Sequence, residues 1–255
     1  MKKQCFVIAF ACAALFMAAC NKHDLPNIPK DKRFLVKELK YGDRNYAFRY
    51  DHDGFIDTIA VSGVHGFSYV YQVARHGARI DSVALIRNGA VESTNADIRY
   101  DQKGRIIGFT YYLYAFYQPF PSVITLTYGP SGNIATITRN STGGTDLDTL
   151  TFNHRNDLQR WTQDWGSREV TTFTFDAYQN PLHYIDGLFV MFVEETFFWE
   201  YIFSEHNSTG KVRQYLNITE VTTIQNQYDT HQRLIKKNIA SSASGQDSLM
   251  ITYFH

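Results

Sequence analysis

Chemistry in this chain would have to start from nine histidines, three cysteines, one run of alternating acids and one pair of adjacent glutamates. Asp51-His52-Asp53-Gly54 has the opening of a calcium loop. It lacks the third carboxylate before the glycine and the distal bidentate glutamate, so it reads as a turn. His52, His76, His154, His206 and His231 lie in or beside predicted turns, with no two at metal-ligand spacing, and read as solvated residues. No metal is expected. Glu194 and Glu195 suggest acid–base work on a glycoside, but adjacent residues of a strand face opposite sides. No Gly-x-Ser-x-Gly, phosphate loop or dinucleotide fingerprint occurs, so no cofactor is implied. Cys5, Cys12 and Cys20 all fall within the first twenty residues, which leaves the remainder without disulfide, thiolate metal site or thiol nucleophile.

Aromatic residues are the other candidates. Tyr112, Tyr114, Phe116 and Tyr117 form a dense run, and Gly187 to Phe203 is apolar, with Leu188, Phe192, Trp199 and Ile202 at roughly helical spacing. Both depart from the pattern around them, and such departures are where loops and sites collect. Core packing is one reading of them. The other is that they meet, with Trp161, Trp165 and Trp199, along an apolar groove that stacks sugar rings or holds an acyl chain.

The elements that would position these residues are β-hairpins. In Ile98 to Tyr111, alternation gives a half-buried strand, Asp101 starts a turn, Gly104 supplies positive φ, and Ile106 to Tyr111 returns. Altered copies begin at Tyr50, Tyr71, Tyr128, Phe152, Phe175, Phe203 and Tyr228, and Leu249 to Phe254 reads as a lone closing strand. Spacings from 21 residues (Tyr50 to Tyr71) to 29 (Tyr71 to Tyr100) hold two strands, a turn and a connection. The expectation is an all-β fold: one antiparallel meander of about 16 strands, curved into an open or closed barrel-like sheet. Apolar residues also recur three apart after the turns, as in Ile56/Ile59, Ile80/Val83, Ile106/Phe109 and Leu158/Trp161. Regular strands put such pairs on opposite faces, so a bulge after each turn is one solution, and repeated bulges would curl the sheet. The strands look too short for a transmembrane barrel, which needs about 9–11 residues each.

Tyr100 to Ile106, Tyr-Asp-x-x-Gly-Arg-Ile, resembles the tyrosine-aspartate repeat of the Rhs family, which implies hairpins winding into a shell. At the N-terminus, Lys2 and Lys3, an apolar run from Phe6 to Phe16, and Met17-Ala18-Ala19 before Cys20 form a signal peptide ending in what resembles a bacterial lipobox. That resemblance implies lipidation at Cys20. Residues 1–19 are then signal, 20–33 a polar tether containing Pro26 and Pro29, and 34–255 the repeat domain. With Phe175 to Leu182, Phe-Asp-x-x-x-Asn-Pro-Leu, the mature chain resembles a family of Bacteroides-type lipoproteins with a domain of unknown function and a porin-like fold. The resemblance implies an outer-membrane lipoprotein, on the periplasmic or the cell-surface face, and carries no catalytic residues. Asp57-Thr58-Ile59, Asp81-Ser82-Val83, Asp148-Thr149-Leu150 and Asp247-Ser248-Leu249 resemble the O-glycosylation triplet of such bacteria, which would modify Thr58, Ser82, Thr149 and Ser248.

Twenty-five acidic and 25 basic residues balance without a basic block, which argues against nucleic acid as a partner. The leading expectation is a membrane-anchored, non-enzymatic module binding a glycan, a lipid or a partner protein. A structural or adhesive protein and a hydrolase of unfamiliar type are the alternatives. A deep aromatic groove, a filled interior, or a cleft with converging carboxylates would respectively favour the three.

Overall fold

The computed structural model describes residues 35–64, 67–115, 118–164, 166–183, 185, 187–193, 198–243 and 245–254. Cys20 and the tether lie outside them, as do Phe116, Tyr117, Trp165, Glu194 and Glu195. The first eight strands are β1 (Val36–Tyr41), β2 (Arg44–Tyr50), β3 (Ile56–Val64), β4 (Phe67–His76), β5 (Arg79–Arg87), β6 (Ala90–Tyr100), β7 (Ile106–Ala115) and β8 (Gln118–Tyr128). Then come β9 (Ile134–Ser141), β10 (Gly144–Phe152), β11 (Leu158–Asp164), β12 (Arg168–Gln179), β13 (His206–Tyr215), β14 (Ile218–Tyr228), β15 (Leu234–Ser241) and β16 (Gly245–Tyr253). Each strand pairs with its sequence neighbours, and β16 pairs with β1 to close a barrel of 16 antiparallel strands. The C-terminal strand is therefore paired on both sides rather than alone. Eleven of the 16 strands have nine residues or more, longer than their sequences indicate, because pairing extends through polar Thr and Ser positions.

A bulge does follow the turns. Arg49 pairs with Thr58 but Tyr50 with Ile56, so Asp57 is extra. Ile107, Ala135, Gln159 and Ile235 are extra in the same way after later turns. The extra residue rephases the strand, so that Ile56 and Ile59 both face the lumen and both are buried. Four turns share one hydrogen-bond scheme. Asp101 Oδ1 accepts from the N–H groups of Lys103 and Arg105, two and four residues on, at 2.8 and 2.9 Å. Asp51, Asn153 and Asp229 do the same. Arg105 does not face water alone: it bonds Asp101 and lies 4.0 Å over the ring of Tyr128 in the next unit. Tyr128 in turn donates to Ile106 O at 2.6 Å, beside the bulge. Tyr50, Tyr100 and Tyr253 likewise donate to Val36, Ile80 and Leu234 carbonyls. The motif residues thus link one repeat to the next around the ring.

Three repeat assignments shift. Arg75, rather than Tyr71, holds the tyrosine position, pairing with Ile80 and donating to Ile56 O at 3.3 Å. Gly210 lies inside β13 and makes no turn, and Phe203 ends a helix. Phe175 to Leu182 also forms no hairpin turn. There β12 continues to Gln179, and the described residues between it and β13 turn inward into the barrel, carrying α1 (Leu188–Met191) and α2 (Trp199–Phe203). Every residue of both helices is buried. The neck of this plug is tied at the Asx-turn end. Asn180 donates to Ser204 O at 2.9 Å, and the fully buried Asp157 accepts from His206 N and Nδ1, both at 2.9 Å. Gly187 permits the inward turn: its φ is +77°, and a Cβ there would stand 2.0 Å from Ile80 Cδ1.

Tyr100, Tyr128, Phe152 and Phe175 all face the lumen, partly buried against the core, while Arg99, Thr127, Thr151 and Thr174 point outward and are exposed. The outer wall is mixed, with Thr136, Thr138, Thr149, Thr151, Thr223 and Gln225 along its strands, charges at Lys40, Arg49, Arg160 and Arg168, and exposed apolar residues at Tyr114, Val123, Val221 and Met250. No helix of the described residues is long and apolar enough to cross a membrane.

Candidate functional site

The barrel ends differ. At the Asx-turn end, Ile56, Ile80, Leu158 and Leu234 close a buried apolar floor with the plug above it. The opposite end, where the short hairpins lie, has polar residues on the inner wall. A cavity of about 220 Å³ opens there between the plug and strands β11 to β14. Alternation places Glu169, Thr171 and Phe173 of β12, Lys211 and Arg213 of β13, and Glu220 and Thr222 of β14 inward, and α2 contributes Glu200 from the plug.

The charges form a descending ladder. At the rim, Arg213 donates Nε and Nη2 to the two oxygens of Glu169 at 2.5 and 2.7 Å, and its Nη1 lies 3.7 Å from Glu220. This pairing holds the guanidinium pKa above its ordinary value. One level down, Lys211 Nζ donates to Glu200 Oε2 at 3.2 Å, while Ser208 Oγ donates to Glu200 Oε1 at 3.3 Å. The Glu200 charge raises the Lys211 pKa against the opposing effect of burial. Deepest is Lys237, fully buried, donating to Ser208 Oγ at 3.2 Å and lying 4.4 Å over the Tyr201 ring. Burial pushes its amine down to about 8 despite the nearby Glu200 and Asp176 carboxylates. Lys237 stands three residues after Leu234, where the other units carry Ile59, Val83, Phe109, Ile137 or Trp161. That break in the repeat was the sequence signal for this wall. Glu169, Glu200, Lys211, Arg213 and Glu220 had none, because inward orientation in a polar strand depends on register.

The aromatic candidates separate. Trp161 lines the cavity edge, 8% exposed, with its indole N–H on Asp148 at 2.8 Å and its ring stacked on Trp199 at 4.8 Å. Trp199 is fully buried among Trp161, Phe189 and Phe203 and is core. Tyr112 and Tyr114 are on the outer wall, Tyr112 bonding Asp97. Tyr112 and Trp199 therefore border no common groove, since the barrel wall stands between them. Phe116, Tyr117 and Trp165 lie outside the described residues. On the far side of the plug a second space of about 60 Å³ is lined by Tyr71, Leu85, Asn95 and Met191. Among the described residues no group of three or more His, Cys, Asp or Glu could hold a metal ion. Thr58, Ser82, Thr149 and Ser248 all project from the outer wall, on the face opposite their buried neighbours.

No known family model matches the chain, and no curated protein matches its sequence. Among solved structures it resembles a porin-like protein from Bacteroides uniformis ATCC 8492, with a TM-score of 0.58 at 13% identity over 86% of this chain and 98% of that one. A porin-like protein from Bacteroides vulgatus ATCC 8482 also matches, at TM-score 0.41 and 10% identity, with the same coverage. The first likeness shows the fold: a closed, porin-like barrel of 16 strands.

Proposed function

We propose that this chain is a lipid-tethered envelope lipoprotein whose barrel binds a ligand at its open end. The carrying observation is a charged cavity at one end of a lumen that the plug otherwise largely occupies. A filled lumen does not suit conduction. The charges on the outer wall, at Lys40, Arg49, Arg160 and Arg168, do not suit immersion in lipid, where a spanning barrel shows an apolar band about 25 Å tall. The fold likeness and the lipobox resemblance at Cys20 support an envelope location, with the outer membrane expected. Strand β1 starts at the floor, so the tether joins the end away from the cavity, and the mouth is free to face ligand.

Binding is tested on glycan, lipid and peptide arrays with the full chain and with Thr171→Trp, which fills the cavity. Loss of capture in the variant supports the reading; equal capture by both places binding elsewhere and sinks it. The hydrolase alternative is favoured by three carboxylates at one cavity. However, Glu169 gives both oxygens to Arg213, and Glu200 gives its two to Ser208 and Lys211, so neither is free to hand on a proton. Turnover of nitrophenyl glycosides, abolished by Glu220→Gln, would reverse that ranking. Modification of Thr58, Ser82, Thr149 and Ser248 stays a proposal, supported by their outward placement; a host-derived intact mass equal to polypeptide plus lipid would exclude it.

A further inference from the structure

We infer that the cavity takes one electrically neutral, polyhydroxylated ring: the terminal pyranose of a glycan. The inference rests on the binding reading above and specifies its ligand. Its basis is that the charges lining the cavity are already partnered: four form two ion pairs, and Glu220 shares Arg213 at 3.7 Å and a serine hydroxyl. Arg213 is forked onto Glu169, Lys211 is on Glu200, and Glu220 Oε1 accepts from Ser241 Oγ at 2.5 Å. A ligand anion could take Arg213 or Lys211 only by drawing it off its carboxylate. A ligand cation would do the reverse. Either exchange leaves a partly desolvated charge without a partner, which is the costly state for a buried ion pair.

A hydroxyl group needs no exchange. Each carboxylate oxygen keeps a second lone pair that can accept a ligand O–H, and the ammonium and guanidinium keep N–H groups that can donate to a ligand oxygen. Because Arg213 and Glu169 stand side by side, donor and acceptor are offered together, as neighbouring hydroxyls on a ring require. Thr171, Thr222 and Gln163 add partners that both give and accept. Trp161 adds an apolar edge, with its own N–H already used by Asp148. Size sets the last limit. About 220 Å³ is below the range of roughly 300–1,000 Å³ for drug-sized ligands, so a single ring enters and any further chain leaves through the mouth.

The test is calorimetric titration of the full chain in detergent with methyl glucoside, methyl galactoside and methyl mannoside, and with methyl glucuronide and glucosamine as anionic and cationic counterparts. At least one neutral glycoside is expected to bind, with an affinity that changes less than about twofold between low and roughly 0.5 M salt. Arg213→Lys, which loses the fork, and Glu169→Gln should each weaken it about tenfold or more, with the folded state of each variant verified by circular dichroism. Binding of the glucuronide or glucosamine in preference to all neutral glycosides overturns the neutral-ring inference while leaving the binding reading intact. Absence of binding by all five overturns the inference as well, and the Thr171→Trp array comparison then decides the broader reading separately. Neutral binding that neither variant affects places the sugar elsewhere and also overturns it.

Discussion

Asp101 shows at the residue scale why the repeat carries a carboxylate. Desolvation acts to raise its pKa, yet the N–H of Arg105, the Arg105 side chain and the N–H of Lys103 together hold it below the usual range, and Asp229 behaves alike. A depressed carboxylate stabilises the fold above its unfolded pKa and loses that contribution as pH falls. Gly129 occupies the same position without a side chain, keeping only the backbone bonds of its turn to Asn133 and Gly132. Gly129→Asp is therefore expected to raise stability by about 0.5–1 kcal/mol in urea unfolding. Gly104→Val should lower it by about 1–2 kcal/mol, because φ is +78° there and nothing lies within 4 Å of a Cβ, leaving conformational strain alone. An unchanged midpoint in either variant would contradict the shared turn geometry. Lys237 makes a pH-dependent prediction. Its folded pKa, about 8, lies below the ordinary lysine value of 10.5, so between these the unfolded chain binds a proton that the native state has released. Stability should rise with pH across that window, by ~3 kcal/mol in all. Melting followed from pH 8 to 9, below the range where tyrosines of the unfolded chain titrate, should show the onset of the rise in the wild type and a flat profile in Lys237→Met.

At the scale of elements, one inserted residue per hairpin does most of the shaping. The bulge turns a spacing of three into a one-faced apolar pattern and adds the local twist that lets 16 strands close. The plug has a different origin. In the unit beginning at Phe175 the turn is replaced by a long insertion, and the lumen accepts it because the inward faces of β2, β4, β7 and β11 are bulky and apolar. Tyr46 packs edge-on to Phe192 and Phe198, at 5.8 and 5.1 Å, and Tyr71 to Phe192 at 5.2 Å. Trp199→Ala should then cost about 3–5 kcal/mol, the range for deleting a large buried aromatic, out of a total of roughly 5–15 kcal/mol. A loss below about 1 kcal/mol would mean that the plug is a loose lid rather than part of the core.

For the whole molecule, orientation follows from where the chain enters. Strand β1 begins at the floor and the cavity occupies the other end, so the proposed anchor upstream of β1 and the proposed binding would not compete for space. Cys20→Ser is expected to release the protein from the membrane fraction into the soluble envelope fraction, with array binding unchanged. Retention of the serine variant in membranes would remove the lipid anchor from the proposal.

The sequence by itself determined the approximate strand count, the hairpin repeat and the turn chemistry, and narrowed the three-residue spacing to a bulge or an outward-packed residue, because each is a local consequence of residue type and spacing. Asp, Gly and alternating apolar residues act over four to ten positions, and the chain repeats them often enough to be read. Tertiary structure alone decided three things. One was closure of β16 on β1, and another was the inward course of the described residues between β12 and β13, which puts Trp199 in the core and separates it from Tyr112. The last was the charged cavity: Glu169, Glu200, Lys211 and Arg213 are ordinary polar residues until barrel register points three of them inward and the plug brings the fourth to meet them. Contacts of that kind join residues up to 44 positions apart, and no local pattern encodes them.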